Sequence, residues 1–253
     1  MIDLAGRHVL VTGASRGIGA ACCRAFARAG AAVLVHFVAS EAKAKRLLAE
    51  LGDLSPRPRP HRMFRCNVTQ DEQVAALFEF VAREWGALDC LVNNAGVWVH
   101  NPLRELDGGE LRATLEVNVV GPFLFARGAL PLLERSPDGN IVNVSSTAGQ
   151  RGEAFYSPYA ASKGAVIAAT RAWASELAPR VRVNAVAPGW VATDMTAAAL
   201  AGERGREVAA SIPLGRVAAP DDIAGPVLFL ASPLARHITG EVVNVNGGSV
   251  LGG

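Results

Sequence analysis

Tyrosine is almost missing from this sequence: of 253 residues only Tyr156 and Tyr159 are tyrosine, both inside AFYSPYAASKGA. Any chemistry that needs a phenol therefore has two candidates. Aromatic residues make up 6% of the chain and charged residues 19%, while 50% are hydrophobic, a balance that excludes a disordered chain. Charge of one sign is lacking too. A formal net charge of +2 gives no basic face for nucleic acid. No apolar run reaches the roughly 18 residues of a bilayer span, so no membrane association is expected. The first residues enter a strand-like run without the basic and apolar segments of an export signal, so a cytoplasmic protein is expected. Cysteine is sparse, and Cys22, Cys23, Cys66 and Cys90 show no C-x-x-C spacing. The expectation is buried thiols in a reducing compartment and no metal site.

What is present is a regular alternation of short apolar runs and amphipathic segments. RHVLVTGASRGIG reads as strand, glycine turn and helix start, and AACCRAFARAG as a helix ended by Gly30. AAVLVHF, MFRCNV, LDCLVNNAG, NIVNVSS, VRVNAVAPG and GEVVNVNGG read as six further strands. EAKAKRLLAELG, DEQVAALFEFVAREWG, a long stretch at about 110–135 and Ser157 to Ala178 read as helices. Near-continuous apolar strands between helices indicate an α/β fold: a doubly wound Rossmann-type parallel sheet of about seven strands, helices on both faces. One domain over 1–253 is expected. Two stretches interrupt the pattern. LSPRPRPHRMFR (54–65) is basic but carries no interleaved aromatics, so it reads as a solvated connection. The segment 190–216 is a long connection after a strand's carboxyl end, the place of a substrate lid.

TGASRGIG sets Gly13, Gly17 and Gly19 between the first strand and the first helix. Glycine lets the backbone turn sharply and lets a pyrophosphate approach the free N–H groups of a helix N-terminus. The spacing G-x-x-x-G-x-G differs from the usual dinucleotide fingerprint. Its position after strand one favours cofactor binding over a plain turn. Strand two ends VHFVAS, with no carboxylate before Glu41 to hold a ribose 2′-hydroxyl, and Arg16 stands inside the turn. Both facts favour NADP(H), with NAD(H) as the alternative.

Tyr159 and Lys163 are four apart on a helix that Ser157-Pro158 is expected to start, so their side chains share one face. Tyr156 precedes that start. A free phenol titrates near 10, and a neighbouring ammonium favours phenolate. Lowering it by about 3 units needs about 4 kcal/mol, more than an exposed ion pair supplies, so a partly buried site is expected.

TGASRGIG, NNAG (93–96), Ser146, the Y-x-x-x-K at Tyr159 and Lys163, and Pro188-Gly189 together resemble the short-chain dehydrogenase/reductase family, over essentially the whole chain. The resemblance implies hydride transfer between nicotinamide and a carbonyl or secondary alcohol. It implies Tyr159 as proton donor or acceptor, Ser146 on the substrate oxygen, Lys163 on the nicotinamide ribose, and Asn118 bending a helix and holding a relay water. For the cofactor it implies Gly13, Ser15, Arg16, Gly17, Ile18 and Gly19 in the turn, and Asn67 and Val68 at the adenine. Asn93, Asn94, Ala95 and Gly96 would lie beside the adenosine ribose, Asn93 also holding the sheet. Pro188, Gly189, Val191 and Thr193 would lie at the nicotinamide.

Within the family the likeness is greatest to bacterial 3-oxoacyl-acyl-carrier-protein reductases, through NAVAPGWVATDM and ITGEVVNVNGG. That group implies NADPH, a β-keto thioester, an acyl carrier protein bound by basic residues beside the cleft, and a homotetramer through the last strand. Arg180 matches one carrier-contacting position; the second is not matched, Arg135 being displaced. Sugar, steroid and secondary-alcohol dehydrogenases share the same motifs and are the alternative. A non-catalytic dinucleotide sensor is a further alternative, against which the intact Ser146, Tyr159 and Lys163 argue.

Overall fold

Seven short runs of β-branched and apolar residues pair in parallel. The computed structural model describes residues 2–57 and 59–251. β1 (His8–Val11), β2 (Ala32–Phe37), β3 (Arg62–Arg65), β4 (Cys90–Asn93), β5 (Gly139–Val144), β6 (Val181–Pro188) and β7 (Val242–Val245) lie in the order β3-β2-β1-β4-β5-β6-β7. The helices are α1 (Gly17–Arg28), α2 (Glu41–Leu54), α3 (Asp71–Trp85), α4 (Gly108–Leu115), α5 (Gly121–Leu133), α6 (Thr147–Arg151), α7 (Ser157–Glu176), α8 (Gly202–Ser211) and α9 (Pro220–Leu230). Pro58, within the basic stretch at 54–65, and both ends of the expected 1–253 domain lie outside the described residues.

Side chains alternate across each strand, and the two cores follow from that period. Val9 and Val11 pack with the buried residues of α1, α2 and α9, while Leu10 packs with those of α3 and α5. Both faces of the sheet are covered, which is why its strands carry apolar residues on both sides. Strand order reverses between β1 and β4, so a crevice opens beyond their carboxyl ends, where ligands of such sheets bind. All four cysteines are buried, and burial pushes the Cys22 thiol up to about 12. Among the described residues no helix is long and apolar enough to cross a membrane.

The structure differs from the sequence reading in three places. Tyr156, not Ser157, is the N-cap of α7; Ser157 is already helical and no side chain caps the end. The long stretch at 110–135 is α4 and α5 joined by a π-helical turn over Glu116–Val120. Pro122 cannot donate to the carbonyl four residues back, which loosens the ladder where the wider turn forms. The sequence also hid α9, because Gly225 and Pro226 break up its apolar pattern. Packing against the small buried residues of α1 stabilises it, and Asp222 caps it by accepting from the Ala219 N–H at 2.7 Å.

At the amino edge of the sheet one acid fastens three strands. The Asp89 carboxylate accepts from Arg7 Nη1 at 2.7 Å, from Ser136 Oγ at 2.6 Å and from the His8 N–H at 2.7 Å. Asp89→Ala leaves buried donors unpaired and should lower unfolding free energy by about 2–4 kcal/mol, read as a lower urea midpoint. A midpoint unchanged from wild type would show that the edge does not depend on this carboxylate.

Candidate active site

Tyr159 and Lys163 stand one turn apart on α7, on the side that faces the end of β5. Lys163 is 5% exposed, and its Nζ donates to the Val144 carbonyl at 2.9 Å. The ammonium lies 5.8 Å from the centre of the Tyr159 ring. Burial pushes Lys163 down to about 8. It also pushes Tyr159 up to about 12, opposed by the neighbouring Ser146 hydroxyl and reinforced by the Glu153 carboxylate. The sequence reading has the phenol drawn down by the lysine together with the positive charge of an oxidised nicotinamide. For the chain's own groups burial is the largest influence on the phenol, and Lys163 Nζ is engaged with a backbone carbonyl.

Ser146 follows β5 and caps α6, accepting from the Ala148 N–H at 3.1 Å. Its neighbour Ser145 points the other way and donates to the Lys163 carbonyl at 2.9 Å, so the alternation picks Ser146 for the cleft. That cleft is lined by Ser146, Tyr159, Trp98, Glu153, Trp190 and Met195. Tyr156 does not line it. Its ring stacks on Trp98 at 4.3 Å, and Trp98 meets Trp190 edge-on at 5.9 Å. Trp98 Nε1 donates to Glu153 Oε2 at 3.3 Å, and burial raises the Glu153 pKa. Sequence reading missed Trp98 and Glu153, which are 55 positions apart and meet only in the folded chain.

Asn118 sits in the π turn, buried, with both side-chain atoms used. Its Oδ1 accepts from the Val97 N–H at 2.8 Å; its Nδ2 donates to the Val97 carbonyl at 2.9 Å and to Ser162 Oγ at 3.0 Å. Its side chain thus pins the loop after β4 to the π turn and to α7. Gly96 is small for the same reason: a Cβ there would stand 3.2 Å from Asn118 Oδ1 and 3.5 Å from Lys163 Nζ.

The glycine turn forms the other half of the site. Gly13 and Gly17 have φ of +62° and +55°, which glycine adopts without strain. A Cβ on Gly19 would meet Asn94 Nδ2 at 2.6 Å, and Ser15, Arg16 and Ile18 complete the loop into α1. α1 has no side-chain cap and no acidic residue in its first turn. Its N-terminal N–H groups therefore form an anion cradle that fits a dinucleotide phosphate. Asn94 supports this turn, donating from Nδ2 to the Thr12 carbonyl at 2.8 Å and the Gly13 carbonyl at 3.3 Å. Ala95 donates to Thr12 Oγ1 at 2.9 Å. Asn93 donates to Asn143 at 2.9 Å, and Asn143 to Thr170 at 2.9 Å, tying the central strands. Asn67 accepts from Thr69 in a local turn and Val68 is buried beside Gly121. Sequence reading missed His36, whose Nδ1 accepts from the Gly13 N–H at 3.0 Å; burial holds its pKa at about 4.

β6 ends at Pro188, Gly189 turns the chain into the cleft, and the Val191 carbonyl accepts from Thr196 Oγ1 at 2.5 Å. Thr193 rests on Gly17, its Cγ2 3.3 Å from where a Cβ would stand. Arg180 does not lie beside this cleft. It precedes β6, at the amino edge of the sheet, and Arg135 is at that edge as well, donating to the Gly86 carbonyl at 3.0 Å. A parallel sheet puts the residue before a strand at the edge opposite the ligand crevice.

Residues 13–249 match the family model described as Enoyl-(Acyl carrier protein) reductase. The chain belongs to the short-chain dehydrogenase/reductase family. It is an oxidoreductase. It is 39% identical over 250 residues to the 3-oxoacyl-[acyl-carrier-protein] reductase of Thermotoga maritima, covering 98% of this chain and 99% of that protein. The short-chain dehydrogenase/reductase of Brucella melitensis described as glucose/ribitol dehydrogenase superposes with a TM-score of 0.93 at 32% identity, covering 99% of each chain. A Beutenbergia cavernae structure assigned as an NAD(P)-dependent gluconate 5-dehydrogenase, with NADP bound at low occupancy, gives 0.90 at 38% identity, covering 98% of each.

The Glu153 carboxylate beside the phenol gives a direct check. In a Tyr156→Phe background Tyr159 is the only tyrosine, so phenolate absorbance follows its ionisation alone. The step should fall well above the ordinary pKa of about 10. Glu153→Gln removes an anion and should move the step to lower pH. An unmoved step would place the carboxylate too far away to act.

Proposed function

We propose that this short-chain oxidoreductase reduces a small carbonyl compound with NADPH, and that Tyr159 delivers the proton. The observation that carries the reading is the meeting of Tyr159 and Ser146 in one cleft, with the Lys163 ammonium behind the phenol and the Ala95–Gly96 loop running from that ammonium to the glycine turn. When bound, NADP(H) supplies or takes up the hydride at its nicotinamide. Ser146 then hydrogen-bonds the substrate oxygen as negative charge develops there, a neutral donor fixed by its place at the head of α6. Tyr159, holding its proton far above neutrality, is suited to act as general acid in reduction. For alcohol oxidation the same phenol must lose its proton, which needs a positive charge close by. Lys163 supplies that charge, orients the nicotinamide ribose, and keeps its place through Val144. Asn118 acts through Val97, as a positioning residue. The turn residues Gly13 to Gly19, with Asn67, Val68, Ala95, Gly96, Pro188, Gly189, Val191 and Thr193, border the cofactor.

The favoured substrate is a 3-oxoacyl thioester, supported by the likeness to the Thermotoga maritima reductase over nearly the whole chain. In this reading the enzyme is a cytoplasmic homotetramer of single-domain chains, and the segment 190–216 closes over substrate. Recognition of an acyl carrier protein by Arg180 would need a neighbouring subunit's cleft, because its own cleft is at the opposite edge. A sugar or secondary-alcohol dehydrogenase is the second reading. Glu153 and the Trp98 face favour it, since a carboxylate accepts from substrate hydroxyls and is costly to cover with an apolar acyl chain.

NADPH oxidation across acetoacetyl thioester, simple ketones and keto sugars separates the two readings. Tyr159→Phe should lower turnover by about 10³-fold with NADPH affinity kept within a few-fold, and Tyr156→Phe should keep most activity. Equal losses in the two variants would remove Tyr159 from the proton step. No turnover on the whole panel, with NADPH still bound, would favour a sensor.

A further inference from the structure

The sequence offers one cation, Arg16, for a 2′-phosphate. The structure brings a second to the same place and lays an acid across both. Lys43 stands in the first turn of α2, and Asp194, 151 positions away, lies on the segment that follows β6. Lys43 Nζ donates to Asp194 Oδ2 at 2.7 Å, and Arg16 Nη1 is 3.7 Å from the same oxygen. Asp194 reaches this position because Thr193 rests on Gly17, so the segment crosses the glycine turn. At the end of β2 the groups facing this spot are Arg65, which donates to the Val38 carbonyl at 3.0 Å, and Glu41, which pairs with Lys45 at 2.7 Å. Asp194 is thus the carboxylate paired with both cations among the described residues. All three side chains are about half exposed, so these ion pairs are weak and exchangeable. A carboxylate that bridges two cations at the mouth of an anion cradle occupies the position of the anion the cradle would take.

We propose that Lys43 joins Arg16 as the cradle for the cofactor's 2′-phosphate, and that Asp194 is a tethered competitor for that cradle. The inference rests on the NADP(H) reading above. A phosphate dianion accepts from both cations at once and displaces a single carboxylate. The exchange moves no covalent bond and frees the Asp194 side chain, while Thr193 keeps its place on Gly17. NAD(H), with a neutral hydroxyl in place of the phosphate, leaves both ion pairs in place. Asp194 therefore lowers affinity for NADP(H) and leaves affinity for NAD(H) unchanged.

Dissociation constants for NADPH and NADH, measured by nicotinamide fluorescence on the intact protein, test this with Lys43→Ala and Asp194→Asn. Removing the competitor should tighten NADPH about two- to fivefold, and removing Lys43 should weaken it about five- to tenfold. NADH should change less than about twofold in either variant, because it carries no 2′-phosphate. Lys45→Ala, whose partner is Glu41, serves as the charge control. Circular-dichroism melting confirms that each variant folds. Weaker NADPH binding in Asp194→Asn would overturn the proposal, as would equal losses of NADPH and NADH in Lys43→Ala. A wild-type protein that prefers NADH would refute the cofactor reading on its own. The direction of the Asp194→Asn shift in the NADPH to NADH ratio tests the competitor in either case.

Discussion

A buried amine governs the architecture of the site. Lys163 must carry a proton to be useful, yet its surroundings push its pKa down to about 8, so its position is fixed by what can tolerate it. Its Nζ has the Val144 carbonyl at the end of β5. Its own carbonyl receives Ser145, which sends Ser146 to the cleft. α6 packs so closely on α7 that a Cβ on Gly149 would meet the Lys163 carbonyl carbon at 2.5 Å. Gly96 clears the space on the other side, with Asn118 holding Val97 behind it. Each of these small or polar residues follows from placing one ammonium between a strand end and a helix.

The same desolvation that restrains the lysine raises the tyrosine. The two groups consequently have opposite needs that one added charge can satisfy in turn. With the phenol pushed to about 12, proton donation to a forming alkoxide is the easier direction for the chain's own residues. Glu153 pushes the same way, and Trp98 holds Glu153 in the cleft. At the opposite end of the crevice, Asp194 restrains two cations as Glu153 restrains the phenol.

Much of this was legible in the sequence, for local reasons. Apolar runs marked all seven strands, because a sheet covered on both faces is mostly apolar on both sides, its few buried polar groups such as Asn93 and Asn143 being paired. The Tyr159–Lys163 pair needed only helical spacing. Other features depend on distance in space. Asn118 and Asn94 were readable as site residues, but that their amides are spent on Val97, Thr12 and Gly13 depends on loops folding back. Lys43 looked like an ordinary surface residue of an amphipathic helix, since its partner is 151 positions away. The position of Arg180 followed family spacing in sequence, while the sheet put it at the wrong edge for its own cleft. α9 was obscured because Gly225 and Pro226 carry no helical signal, and only packing on α1 overrides them.

The central claim is that this site passes a hydride to a carbonyl carbon while Tyr159 attends to the oxygen. It is tested most directly by incubating the enzyme with acetoacetyl thioester and NADPH dideuterated at nicotinamide C4, and reading the product by mass spectrometry and NMR. The account predicts one deuterium on the new carbinol carbon. A reduced product with hydrogen from solvent at that carbon, and the label left on the nicotinamide, would contradict it.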